Sequence, residues 1–227
     1  MDRRRYLTTV AGGFTAVSGC RSIVPGLGEQ PSTTPSSVTE SEDVRSCPGP
    51  VEECQYIVAH TETEQLVTGS ITLESALASD RKRFATLLTD RADAEERVRH
   101  LGTSGEDWPH VPFVNATDFS TTVVLVAQHG AEPNSQEIIL EEVTLPDPDR
   151  LHARIYEPQM NGGEGPTRVP TVMARVPIGD HSPSQLTIAL KAPYFTYGGG
   201  SDYGSNRDVG IIDTFSMAET DPHYPSN

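Results

Sequence analysis

Apolar and polar side chains alternate with a period of two in three runs between residues 151 and 191, and this restricts the fold more than any other feature. Leu151, Ala153 and Ile155 share one face of the first run, Val172, Ala174 and Val176 one face of the second, and Leu186, Ile188 and Leu190 one face of the third. A helix, with its period of 3.6, cannot gather such sets on one side; a strand with one buried face does. The pattern predicts half-buried antiparallel strands at 151–157, 170–176 and 185–191. Two further strands are expected at 122–128 and 137–145, the first apolar without interruption from Val123 to Ala127 and so suited to the middle of a sheet. Pro146-Asp147-Pro148-Asp149, Asn161-Gly162-Gly163 and Gly179-Asp180 supply turn chemistry between the runs.

Upstream, Tyr56-Ile57-Val58-Ala59 and Leu66-Val67-Thr68 read as short strands. Ser79 or Asp80 can cap a helix running through Leu88 that buries Phe84, Leu87 and Leu88, and Asp90 can cap a second through Arg99, with Asp93, Glu95 and Glu96 near its positive end. The expected fold is α+β: mainly antiparallel β-sheet, as a sandwich or half-barrel, with one or two short helices before the main strand run. The globular domain is expected at 47–195. Residues 196–227, with Gly198, Gly199 and Gly200 and one apolar patch at 209–212, read as a loose tail or one last strand.

The N-terminus follows different rules. Arg3, Arg4, Tyr6 and Leu7 stand in an order that resembles the twin-arginine export motif, and the mildly apolar stretch 8–17 is shorter than the about 20 residues a membrane span needs. Ala16-Val17-Ser18-Gly19-Cys20 resembles the lipobox of lipoproteins. These resemblances imply a signal peptide at 1–19, export of a folded chain, lipid on Cys20, and a location on the outer face of the cell membrane. The expected partners are then the membrane, through covalent lipid, and another exported or membrane protein. Residues 26–45 are rich in Pro, Ser, Thr, Gly and Glu, so 20–46 reads as the lipidated cysteine and a flexible linker with a reach of about 25 to 30 Å.

Cys47 and Cys54 remain, and an even pair outside the cell reads as a disulfide. Pro48, Gly49 and Pro50 form the turn that lets the ends meet. The six intervening residues do not give the spacing of a redox-active dithiol pair.

The chain carries 17 basic and 32 acidic residues, a net −15, and loss of residues 1–19 would remove three basic and one acidic residue to leave −17. Such a surface repels phosphates and anionic headgroups, so neither nucleic acid nor electrostatic membrane docking is expected. Only Lys82 and Lys191 are lysines; the other fifteen basic residues are arginines. Few lysines and many carboxylates resemble proteins of extreme halophiles, and with the N-terminal motifs the chain resembles a haloarchaeal-type twin-arginine-exported lipoprotein. At molar salt the Debye length is roughly 3 Å, and repulsion across an acidic surface is nearly screened out.

No catalytic pattern stands out. The seven histidines form no i, i+4 pair, no cysteine is left over for a blue-copper ligand set, and Gly102-Thr103-Ser104-Gly105 is not a nucleophile elbow. Neither metal nor cofactor is expected. His152, Arg154 and Tyr156 share the polar face of one strand, which Arg175 joins if the two strands are neighbours; the strip either receives an anionic ligand or a partner's carboxylates or pairs locally with Glu141, Glu142 or Glu157. Asn115-Ala116-Thr117 is a candidate glycosylation site in an expected loop.

The order Asp118-Phe119-Ser120, the apolar run Val123 to Ala127, the hairpin across 137–157 and the strand at 168–177 resembles the PrcB-type domain, over 118–190. The resemblance implies a β-rich exported domain with a non-catalytic accessory or scaffold role. Glu132-Pro133-Asn134-Ser135 stands where that family has a Thr-Gly-Gly-Tyr-like turn. The function expected is therefore a cell-surface, non-catalytic interaction or accessory module. A solute- or ion-binding lipoprotein is one alternative, and a hydrolase with a site assembled from distant residues is another.

Overall fold

The computed structural model describes residues 44–61, 65–78, 83–102, 108–130, 132–133, 138–158, 167–194 and 208–224. Along the chain come β1 (Arg45–Ser46), β2 (Gln55–Thr61), α1 (Leu73–Ala78), β3 (Arg83–Leu88), α2 (Arg91–Arg97), α3 (His110–Asn115) and β4 (Thr122–His129). There follow β5 (Glu132–Pro133), β6 (Ile139–Asp147), β7 (Arg150–Tyr156), β8 (Thr167–Pro177), β9 (Gln185–Tyr194), β10 (Asp208–Ser216) and α4 (Met217–Thr220). The first sheet has the order β1-β2-β8-β4-β3, with β5 pairing with β8. The second has the order β10-β9-β7-β6. Every pair is antiparallel except β7 with β9, which run parallel because the chain visits the first sheet through β8 before it returns.

The period-two sets meet between the sheets. Leu151, Ala153, Ile155, Leu186, Ile188 and Leu190 from the second sheet pack against Val123, Leu125, Ala174 and Val176 from the first, all of them buried. The first sheet also buries its opposite face: Ile57, Phe84, Val124, Val126 and Met173 form a second core with Ala94 of α2 and with Phe113 and Val114 of α3. The uninterrupted run in β4 therefore has a cause, since its neighbours β8 and β3 hold it inside a sheet covered on both sides. Gln128 is buried at the end of this strand, where its Oε1 accepts the Ile71 N–H at 2.8 Å and its Nε2 donates to Thr171 Oγ1 at 2.8 Å. That satisfies both ends of a buried amide.

Several local expectations are corrected. Residues 83–88 form strand β3 and no helix. Phe84 and Leu88 face the helical layer while Ala85 and Leu87 face the second sheet, so a strand buried on both faces shows the dense apolar content of a buried helix. The Ser79 and Asp80 caps lie outside the described residues. Leu66-Val67-Thr68 is not a strand: Val67 makes a single bridge to Val98, with Thr68 N–H bonded to Arg97 O at 2.7 Å and Arg99 N–H to Leu66 O at 2.9 Å. Arg45 and Ser46, read as the end of the linker, pair with Tyr56 and Gln55 of β2. The C-terminal patch supplies β10 and α4, which place Phe215 and Met217 in the core between the sheets. Helix α2 begins at Asp90, whose carboxylate accepts the Asp93 N–H at 2.8 Å as a cap should.

Candidate interaction face

The inward face of the second sheet is fully used by the core, and its outward face takes the polar half of each alternation. Tyr156 on β7 aligns with Ile139 on β6 and with Lys191 on β9, and Lys191 aligns with Ile211 on β10. One row, Ile139-Tyr156-Lys191-Ile211, thus crosses all four strands on the outer surface. A second row brings together Glu142, Arg154, Ala189 and Thr214, and a third Thr144, His152, Thr187 and Ser216. His152, Arg154 and Tyr156 share a face as expected, each half-buried.

Two cations on this face are paired with carboxylates of β6. Arg154 Nη1 lies 2.9 Å from Glu142 Oε2, and Lys191 Nζ lies 2.9 Å and 3.0 Å from the two oxygens of Glu141. Lys191 also stands 5.7 Å from the centre of the Tyr156 ring, a cation–π distance. Local pairing therefore accounts for Arg154 in the strip. A shallow cavity of about 470 Å³, lined by Pro48, Gly49, Ile139, Glu141, Glu142 and Arg154, opens at the β6 side. At the β10 side a bulge between Ile211 and Asp213 turns two successive isoleucines outward, so Ile211 is 59 % and Ile212 50 % exposed, with Val209 exposed beside them.

Arg175 does not join this face. Its strand β8 belongs to the first sheet, where the guanidinium lies 4.1 Å from the Phe113 ring centre, donates from Nε to Phe113 O at 3.1 Å and from Nη1 to Gln55 Oε1 at 3.0 Å. Asn115 is exposed as the last residue of α3, not in a loop, and its backbone carbonyl accepts from Arg91 Nη2 at 3.0 Å. Thr117 of the same sequon is buried and donates its hydroxyl to Phe113 O at 3.2 Å. Cys47 and Cys54 are bonded, with Cα atoms 5.1 Å apart. Arg3, Arg4, Tyr6, Leu7 and Cys20 lie outside the described residues. The period-two reading missed Ile139, Lys191 and Ile211 as members of the face: alternation tells which side Lys191 takes, but only strand order makes Tyr156 its neighbour.

A second concavity, about 350 Å³, is bordered by Asp90, Asp93, Arg97, Asp221, His223 and Tyr224. Its charged groups serve the fold. Asp221 accepts from Arg97 Nη2 at 2.6 Å and from Thr86 Oγ1 at 2.5 Å, while Asp90 caps α2. Burial holds the Asp93 carboxyl above the usual range, against the opposing pull of Arg97. Among the described residues no group of three His, Cys, Asp or Glu side chains could hold a metal ion, and no helix is long and apolar enough to cross a membrane. No family model matches the chain, nor does any curated protein sequence or solved structure.

Proposed function

We propose that the chain is a surface-tethered, non-catalytic interaction or accessory module that holds a partner protein against the outer face of its second sheet. The observation that carries this reading is an asymmetry between the sheets. The first is packed on both faces, whereas the second presents a row with an isoleucine at each end and a tyrosine between them. Interface centres are enriched in such apolar and aromatic groups and depleted of unpaired charge, and here the cations beside Tyr156 and Ile139 are already neutralised by Glu141 and Glu142. The tether in this reading is lipid on Cys20, and the polar linker that precedes β1 lets the domain reach past the headgroups. The resemblance to the PrcB-type domain points the same way.

The test is purification of the full chain from its own membranes at native salt, beside an Ile211→Glu variant. A partner that co-purifies with the parent and is lost from the variant, while both melt alike, supports the proposal. A partner retained undiminished by the variant, or none at all, contradicts it.

A further inference from the structure

An edge strand leaves unpaired N–H and C=O groups that invite another strand, and stable sheets cover or distort such edges. In the first sheet, β1 is only two residues long, and β3 is capped by α4: Ala85 N–H donates to Thr220 Oγ1 at 2.9 Å and Leu87 N–H to Met217 Sδ at 3.3 Å. In the second sheet β10 is bulged. The other edge of the second sheet, β6, has the disulfide loop against it. A Cβ built on Gly49 would stand 3.4 Å and 3.5 Å from the Val143 O and N atoms and 3.3 Å from Glu142 Cγ, so the loop lies alongside the β6 backbone while β7 fills the other side. Gly49 has φ +117°, a conformation that only glycine adopts without strain.

The backbone bonds at the neck of this loop are few. Among the described residues these are the two residue pairs of β1 with β2 and one bond from Cys47 N–H to Cys54 O at 2.8 Å, beside the disulfide and the packing of Val51 against the core. We propose that the Cys47–Cys54 loop is a redox-releasable cover on the outer edge of β6. Cys54 is buried and Cys47 only partly so, which directs a dithiol reductant to Cys47. Its thiolate attacks Cys47 Sγ, the Sγ–Sγ bond breaks, and Cys54 leaves as a thiolate that takes up a proton. The second thiol of the reductant then displaces Cys47, so both cysteines end as thiols and the reductant as a disulfide. Release uncovers the Val143 backbone at the sheet edge and removes Pro48 and Gly49 from the wall of the cavity on the outer face. The inference does not depend on the interaction reading, because it concerns the edge of the sheet alone.

Hydrogen exchange on the full chain tests it in three states: oxidised, reduced with dithiothreitol, and oxidised Gly49→Val, which keeps the disulfide but cannot seat the loop. Residues 139–147 are expected to exchange at least tenfold faster in the second and third states, with the β8 centre at 169–176 as protected as before. Unchanged protection of 139–147 in either state overturns the proposal. So does a loss of protection at 139–147 and 169–176 together, since the disulfide would then hold the whole fold and not one edge.

Discussion

Arg97 Nη2 sits 2.6 Å from Asp221 Oδ2, and this pair ties helix α2 to the turn that follows α4. The Asp221 side chain is only 1 % exposed, and it also accepts from Thr86 Oγ1 and, through Oδ1, from the His223 N–H at 3.0 Å. The pair therefore secures the short helix that caps β3. Removing one member of a buried pair strands the other, at a cost of about 3–5 kcal/mol. Asp221→Ala is expected to lose stability on that scale in denaturant titrations at fixed salt, and β3 amides should lose protection before those of β8. A loss below about 1 kcal/mol would mean that the clasp contributes little.

Asp93 makes a different contribution at the same end of α2. Because burial raises its folded pKa above the ordinary 3.8 of an aspartate, the folded state binds the proton more tightly. Its favourable contribution is full below that value and is lost as pH rises through the folded pKa. Asp93→Asn should therefore be more stable than the parent near neutral pH, and the difference should shrink toward pH 3. Thermal melts across that range check the sign.

His110 works in the opposite direction. It is fully buried, its Nε2 faces Arg99 O at 3.0 Å, and its Nδ1 has no partner among the described residues. Burial lowers its pKa from 6.5, so the folded state prefers the neutral ring. Stability is complete above 6.5 and falls as the pH drops from there toward the folded pKa. His110→Phe keeps a ring beside Trp108, gives up the bond to Arg99, and should remove the acid-side slope just below pH 6.5.

Salt should stabilise the domain. A net −15 on one chain is self-repulsive, and screening contracts from roughly 10 Å at 0.1 M to roughly 3 Å at 1 M salt. The melting temperature is expected to rise steadily between those concentrations with potassium chloride. A flat or falling curve would show that the acidity is not matched to brine.

The sheet was legible in the sequence wherever burial was one-sided. Leu151, Ala153 and Ile155 alternate because water lies on their other side, and their strand is where the pattern predicts it. Where both faces are buried the valine-rich run of β4 still reads as a strand, but Phe84 to Leu88 does not, since Ala85, Leu87 and Leu88 suit a helix equally and no polar half of an alternation marks them. Legibility failed again at Arg175, because alternation within one strand says nothing about which sheet the strand enters. The face itself was half visible: His152, Arg154 and Tyr156 follow from period, whereas Ile139 and Ile211 join them only through strand order and a bulge.

The central claim is that the outer face of the second sheet meets a partner, and site-specific photo-crosslinking in native membranes at native salt tests it most directly. With a photoreactive residue at position 156 or 211, one discrete adduct of defined mass is expected, and the same group at the exposed Glu95 on α2 should give none. Adducts at Glu95 equal to those at 156 and 211, or no adduct at either face position, would contradict the claim.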